Sequence, residues 1–282
     1  MSEMHKSLEI FRWRENQFED ISDDVGIEEP LEIRVGYPAE SGREEKTISV
    51  TMRTPGDDAE LAVGFLMSEG LIRSPREILK VWHRSPPDPK TGFRNVIRVE
   101  LDGEHSFDFT NLERHFYTTS SCGVCGKTSI EALRVESQYA ESIVESNWQV
   151  AADVLQQLPE FLKAQQPGFE VTGSLHGAGF FNPQGELLAV REDVGRHNAM
   201  DKLLGSLFVA DDLPASGYGV IVSGRASFEL VQKVIMAGVP LLVAVGAPST
   251  LAVELAQEFG VTLVGFLQDK GFSVYCAPQR IK

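Results

Sequence analysis

The sequence has few cysteines, no long apolar run and no signal-like beginning. Three cysteines in 282 residues are too few, and odd in number, for a framework of disulfide bonds, which favours a reducing compartment. No apolar stretch approaches the ~20 residues that cross a bilayer. The first 25 residues are polar and acidic and lack the apolar core of a secretory signal. We therefore expect a cytoplasmic protein without a membrane segment.

Positive charge is also scarce. The chain has 26 lysines and arginines against 41 aspartates and glutamates, which gives a formal net charge of −15. Binding along nucleic acid or on an anionic membrane requires clustered positive charge. The composition therefore argues against both partners, although a few local arginines could still hold a small anionic ligand. The length fits one large domain or two modest ones.

The two halves of the chain differ in their hydrophobic pattern. The first half has alternating strands, such as 31–35 and 48–52, after a segment 1–25 that we expect to be a loose lead-in. From about residue 150, apolar strands alternate with amphipathic helices, which indicates parallel strands covered by helices. We predict an N-terminal α+β domain, 1–125, and an α/β domain, 126–282, with a mixed sheet and helices on both faces.

Local patterns give finer predictions. Asp57, followed by Glu60 three residues later, predicts a helix that begins with a capping box. Residues 171–181 are predicted to form a strand. The order of elements in the second half resembles the cytidine-deaminase fold, but the residues of a deaminase zinc site are absent. Positions 197–199 lack its glutamate and positions 224–227 lack its cysteines, so deaminase chemistry is excluded.

Cys122 and Cys125 carry the most chemistry in the sequence. They lie in a glycine-flanked loop before a predicted helix that begins near Lys127. Lys127 and the helix N-terminus would lower a thiol pKa, and a thiolate there could take the outer sulfur of another protein's persulfide. Two alternatives stay open. The pair could be half of a zinc site whose other ligands are missing, or a thioredoxin-like redox pair.

Two strand-to-helix junctions carry basic residues. Segment 191–198 contains Arg196 and His197, and segment 223–227 contains Arg225 beside small hydroxyl residues. Ligands of such sheets bind at the carboxyl ends of the strands, so we expect both junctions to face one anionic ligand. Taken alone, the first junction is better explained as a helix start with a charged cap. His176, among small residues, is at least as readily a structural histidine.

Several segments together resemble the formate dehydrogenase accessory sulfurtransferases, the FdhD family. The similarity covers about 28–276 and is carried by segments 49–56, 121–126, 192–199, 223–229 and 247–256. It implies that Cys122 carries a persulfide and that Cys125 assists it. It also implies that a cysteine desulfurase supplies the sulfur. The recipient would be the molybdenum of the bis(molybdopterin guanine dinucleotide) cofactor, carried as cargo for formate dehydrogenase.

The resemblance further implies that a segment near the last main strand contacts this cofactor: Phe266, Leu267, Gln268, Asp269, Lys270 and Gly271. Arginines expected at positions 268 and 271 are absent, which shifts the expected phosphate contact to Arg196, His197 and Arg225. No resident metal is expected, and a homodimer is reasonable because small ligand-bearing α/β domains often pair. Two rival functions remain, namely a thiol–disulfide oxidoreductase and a binding module without chemistry.

Overall fold

In a computed structural model, the protein is described over residues 4–103, 137–268 and 270–282. The strands of these ranges are β1 His5–Arg14, β2 Gln17–Gly26, β3 Glu29–Ala39, β4 Gly42–Arg53, β5 Ile78–His83, β6 Val96–Leu101, β7 His176–Phe181, β8 Leu187–Asp193, β9 Gly219–Val222, β10 Leu241–Ala244, β11 Thr262–Gln268 and β12 Gly271–Cys276. Their helices are α1 Asp58–Ser68, α2 Ala140–Glu145, α3 Ala152–Ala164, α4 Pro167–Thr172, α5 Arg196–Val209, α6 Phe228–Met236 and α7 Thr250–Phe259.

The first half is built on a four-stranded sheet with the order β4-β3-β6-β5. Strands β3 and β6 run parallel, and the two outer strands pair antiparallel with them. Alternate residues of β3, at Leu31, Ile33 and Val35, are fully buried, as expected for a strand with one face on the core. Helix α1 packs against this sheet, which confirms the predicted α+β unit.

The first strands correct one prediction. Segment 1–25 was expected to be a loose lead-in, but β1 and β2 form a continuous antiparallel ribbon from His5 to Gly26. The turn between them consists of Glu15 and Asn16, whose φ angles are 52° and 63°. Two successive residues in the left-handed region make the tight turn whose twist suits a hairpin. The polar composition of the segment hid this turn from sequence reasoning.

The second half is built on a six-stranded sheet with the order β12-β11-β10-β9-β7-β8. Strands β9, β10 and β11 run parallel, whereas β7, β8 and β12 pair antiparallel with their neighbours. Helix α3 packs on one face, where Leu158 and Ile221 belong to one buried hydrophobic cluster. Helices α5, α6 and α7 cover the other face, where Leu203 and Val222 are buried. The predicted mixed sheet with helices on both faces is confirmed.

Two local predictions are wrong. Helix α1 follows Asp57 as predicted, but the capping box is absent: Asp57 has φ of 52° and its side chain makes no cap, and Glu60 binds Arg191. Residues 167–172 are helical, and β7 begins only at His176. Pro167 starts this short helix, and the Glu192 carboxylate accepts hydrogen bonds from the next two backbone N–H groups, of Gly168 and Phe169.

The two halves are joined by close contact between α1 and α5. A Cβ atom on Gly64 would lie 1.9 Å from the Asp201 carbonyl oxygen, and one on Gly205 would lie 2.0 Å from that of Glu60. One hydrophobic core continues from the first half into the second. The predicted boundary at 125/126 lies outside the described residues, so this division into domains stays a prediction.

No helix in the described ranges is both long enough and apolar enough to span a membrane.

We expect Gly64→Ala to destabilise the fold by about 1–3 kcal/mol or more, because its Cβ would push α1 and α5 apart. Urea unfolding followed by circular dichroism measures the effect. Gly217→Ala is the matched control, since a Cβ there has no heavy atom within 4 Å. Equal stability of the two variants would contradict the helix contact.

Candidate functional site

The carboxyl edge of the second sheet is extended by its loops. The loops that follow β9 and β10 continue to pair beyond the strands. Gly246 N donates to Gly224 O at 2.9 Å, and Ser249 N donates to Ala226 O at 3.0 Å. Phe266, near the end of β11, donates its N–H to Gly246 O at 3.1 Å. Backbone hydrogen bonds therefore hold these two loops and the end of β11 in one layer at this edge.

Asp193 holds the beginning of α5 at the same edge. Its carboxylate is fully buried and accepts hydrogen bonds from the N–H groups of Thr54 and Gly195 at 3.0 and 2.8 Å. Asn198 donates to it at 3.1 Å, and Lys202 forms an ion pair with it at 2.8 Å. The loop 194–195 is thus fastened to both halves of the chain.

Lys202 completes this contact. Its side chain is 2% exposed, and its ammonium group also donates to Thr54 O at 2.9 Å and to Glu192 O at 3.2 Å. Both buried charges are therefore satisfied, which is the condition under which a buried ion pair is tolerated. Segments 49–56 and 192–199, which the sequence presented as separate motifs, are two sides of one contact.

The two predicted helix starts meet, as expected from the sheet topology. His197 Nε2, on α5, lies 3.1 Å from Ser227 Oγ and 2.9 Å from Glu229 Oε2, at the beginning of α6. The hydrogen bond from His197 lowers the pKa of the Glu229 carboxyl group. Both partners contact the same ring nitrogen, so this is not the arrangement of a Ser–His–acid triad, in which the two ring nitrogens have different partners.

Arg196 lies beside His176 and Gly224. The Arg196 Nε is buried and has no hydrogen-bond partner among the described residues. A Cβ on Gly224 would lie 3.4 Å from His176 Nδ1 and 3.8 Å from Arg196 Cδ, so both side chains border the bare Gly224 backbone. Burial lowers the pKa of His176, and the positive charge of Arg196 lowers it further. A neutral histidine and a charged guanidinium therefore face one backbone segment.

Arg225 follows on the next residue. It is exposed and makes no ion pair with the described part of the chain. Its stem packs closely on the neighbouring loop, since a Cβ on Gly246 would lie 2.9 Å from Arg225 Cγ. The chain therefore offers two cationic groups, on Arg196 and Arg225, that are not consumed by ion pairs in the described structure. Such groups suit a phosphate-bearing ligand.

The segment 266–271 includes the end of β11 and the first residue of β12, and Gln268 pairs with Gly271. Phe266 is 49% exposed and adopts φ of 53°, next to the Gly246 loop. The Leu267 side chain is fully buried in the core, so only its backbone is available to a ligand. Gln268 and Lys270 are exposed, and Asp269 lies outside the described residues.

A cavity of about 380 Å³ lies on the other side of the α5 N-terminus, between the halves. His197 and Asn198 reach it, and its apolar wall includes Val50, Met52 and Phe65. Its other polar lining residues include Ser68 and the buried ion pair of Asp201 and Lys233, whose charged atoms are 2.6 Å apart. The first turn of α5 therefore lies between this cavity and the Arg196 face.

Cys122, Cys125 and Lys127 lie outside the described residues, so their predicted roles stay predictions. The described ranges contain no group of three or more histidine, cysteine or acidic residues arranged to hold a metal. Sequence reasoning did not single out Asp193 or Lys202, and it included Ser227 only among the small hydroxyl residues of segment 223–227. The only sequence feature that pointed to Asp193 was its place in the segment 192–199. No sequence feature pointed to Lys202.

The fold and this edge define an α/β protein whose mixed sheet has a cationic candidate site, built from loops, at its carboxyl edge. The family model described as "FdhD/NarQ family" matches residues 27–282, and this chain belongs to that family. The resemblance of the sequence to the FdhD family is thereby confirmed.

Individual relatives support this family membership. The chain is 46% identical to "Sulfur carrier protein FdhD" of Mycolicibacterium paratuberculosis, with 90% of each chain covered. It is 43% identical to the protein of the same name from Streptomyces coelicolor, which covers 100% of this chain and 97% of the relative. In structure it is similar to a candidate formate dehydrogenase accessory protein from Desulfotalea psychrophila. That match has a TM-score of 0.74 and 24% identity, and it covers 99% of this chain and 100% of the other.

We expect Lys202→Met to destabilise the protein by about 3–5 kcal/mol, because it leaves the Asp193 carboxylate buried without its counter-charge. Thermal or urea unfolding measures this loss. Lys163→Met, which removes an exposed lysine of α3, is the matched control. A similar small change in both variants would show that the ion pair does not hold the two halves.

We expect His176 to titrate below the ordinary histidine value of about 6.5. Its protonation in the unfolded chain then lowers the stability of the fold as the pH falls through that value. NMR titration of the imidazole protons measures the pKa directly. Arg196→Gln should move it upward while burial keeps it lowered, and Arg14→Gln in the ribbon should leave it unchanged. An unmoved pKa in Arg196→Gln would refute their proximity.

Proposed function

We propose that this protein is a cytoplasmic sulfurtransferase and cofactor chaperone that serves the maturation of formate dehydrogenase. The observation that carries the proposal is the convergence of Arg196, His197 and Arg225 at one sheet edge, where neither guanidinium group forms an ion pair within residues 4–103, 137–268 and 270–282. Family membership and the names of the relatives, which are sulfur carrier proteins, support the sulfur-handling part of the proposal.

Sulfur transfer begins at Cys122. Its thiolate attacks the outer sulfur of a persulfide on a cysteine desulfurase, a new S–S bond forms, and the desulfurase thiolate leaves. Release to molybdenum reverses this change at Cys122. The S–S bond breaks, the cysteine returns as a thiolate, and two electrons from the metal centre reduce the transferred sulfur to sulfide. Cys125 assists by keeping the neighbouring sulfur reactive.

The cargo is the bis(molybdopterin guanine dinucleotide) form of the molybdenum cofactor, and the sheet edge holds its phosphate groups. Arg196 and Arg225 supply charge, and the bare Gly224 between them allows a phosphate to approach the backbone. Segment 266–271 has a smaller role, because Lys270 is its only cation and Leu267 is buried. Phe266 offers an exposed aromatic surface to the cargo.

Incubation with a cysteine desulfurase and cysteine should add one sulfur atom to Cys122. Intact and peptide mass spectrometry measures the addition. Cys122→Ser should abolish it, and Cys276→Ser, which changes a half-buried strand cysteine, should not. A reversible loss of two hydrogens across Cys122 and Cys125, without added sulfur, would favour the thiol–disulfide oxidoreductase instead.

Guanosine diphosphate, a fragment of the cargo, should bind the sheet edge. We expect Arg196→Gln together with Arg225→Gln to weaken binding by about tenfold or more, since charge-assisted contacts to phosphate are among the stronger hydrogen bonds. Isothermal titration calorimetry measures the affinity. Lys270→Gln is the control and should have a small effect. The opposite ranking would assign the phosphate groups to the turn between β11 and β12.

A further inference from the structure

The cavity between the halves differs in charge from the sheet edge. Its described lining includes three carboxylates, of Glu69, Asp201 and Glu229, and one ammonium group, of Lys233. The ion pair of Asp201 and Lys233 is neutral as a whole and lies at the buried end, where the two residues are 2% and 6% exposed. The remaining charge is negative. The cavity therefore disfavours a phosphate group and favours a ligand that donates hydrogen bonds.

One face of α6 supplies polar contacts to this cavity. Glu229, Gln232 and Lys233 line it together, as expected for positions i, i+3 and i+4 of a helix. The hydrogen bond from His197 to Glu229 Oε2 lowers the pKa of the Glu229 carboxyl group, so at neutral pH this group only accepts hydrogen bonds. Within the described part of the chain, neither Glu229 Oε1 nor the Gln232 amide has a hydrogen-bond partner. Both groups are available to a ligand.

The rest of the cavity has an apolar wall. Phe65 of α1 and Val50 and Met52 of β4 contribute to it. Val50 is 63% exposed and Met52 is 46% exposed, so the described part of the chain leaves this apolar surface largely uncovered. The volume of about 380 Å³ lies in the range of small-molecule sites, about 300–1,000 Å³. A planar heteroaromatic ring suits this lining, because its faces are apolar and its edge carries hydrogen-bonding groups.

The cavity lies next to the edge where the phosphate groups are proposed to bind. The same nitrogen of His197 lies 2.9 Å from Glu229, which lines the cavity, and 3.1 Å from the Ser227 hydroxyl, which belongs to the edge segment 223–227. Arg196, the residue before His197, borders the bare backbone of that edge segment. A single ligand can therefore place a phosphate at the edge and a ring in the cavity.

We propose that this cavity binds the 2-amino-4-oxopyrimidine ring of the cargo, a unit that guanine and pterin share. This inference rests on the proposed function, which supplies a cargo with both groups. Glu229 accepts hydrogen bonds from the ring N–H and the 2-amino group, and Gln232 donates to the ring carbonyl. Adenine presents a nitrogen lone pair where guanine presents this N–H, so Glu229 rejects it.

Paired ring probes test the cavity. Isothermal titration calorimetry compares guanosine with inosine, and fluorescence titration compares pterin with lumazine. Each second compound lacks the 2-amino group. We expect at least one first compound to bind about tenfold tighter than its analogue, since hydrogen bonds to charged groups are among the stronger ones. Glu229→Gln should remove this preference. Glu254→Gln, which changes an exposed glutamate of α7, is the matched control and should keep it.

A second variant on the same helix face tests the carbonyl contact. Gln232→Met should weaken each ring and its analogue alike, because both members of a pair carry the carbonyl group. A preference for guanosine assigns the cavity to the nucleotide part of the cargo, and a preference for pterin assigns it to the pterin part. Either result supports the proposal.

Equal affinity of each ring and its analogue for the unchanged protein would overturn the proposal. So would a preference that survives in Glu229→Gln, since the ring would then bind elsewhere. Binding of inorganic diphosphate and persulfide formation at Cys122, both measured in the unchanged protein, test the proposed function separately. Absence of both would count against that function, whereas a missing ring preference with both present would count against the cavity alone.

Discussion

The buried ion pair of Asp193 and Lys202 is the constraint on which the site depends. Removing two charges from water costs several kcal/mol for each ion, and the attraction between them offsets this cost only when the remaining charged atoms also find partners. Here the carboxylate receives hydrogen bonds from Thr54, Gly195 and Asn198, and the ammonium group also binds two backbone carbonyls. An apolar contact could hold the halves together equally well. Only directional bonds fix where β4 meets the first turn of α5.

The fixed position of this first turn determines which partners the side chains of Arg196 and His197 can reach. The neighbouring acids are already occupied, since Asp193 binds Lys202 and Glu229 binds His197. Arg196 is consequently held next to Gly224 with a buried Nε that no described residue satisfies. Buried polar atoms usually have partners, so an unsatisfied one at this sheet edge agrees with the proposal that the edge holds a ligand. The same turn also borders the cavity between the halves, so it lies between that cavity and the sheet edge near Gly224.

Much of the fold followed from hydrophobic periodicity. The strands around Ile33 and Ile221 and the helix around Leu203 were predictable, because burial on one face leaves a repeating pattern. The predictions failed where tertiary contacts overrode local pattern. Glu60 suggested a capping box but binds Arg191, and residues 167–172 became helical because Glu192 satisfies the first backbone N–H groups. The Glu15–Asn16 turn was hidden within a polar segment.

By itself, the sequence determined the family, the cysteine pair, the mixed second sheet covered by helices and the basic residues at its helix starts. These depend on residue identity and on spacing along the chain, which periodicity and motifs record directly. Only the tertiary structure decided that segments 49–56 and 192–199 form one contact and that His197 meets Ser227. It also decided that Leu267 is buried while Phe266 is exposed. Distances between residues far apart in the chain depend on how the sheets and helices pack, and no local pattern encodes them.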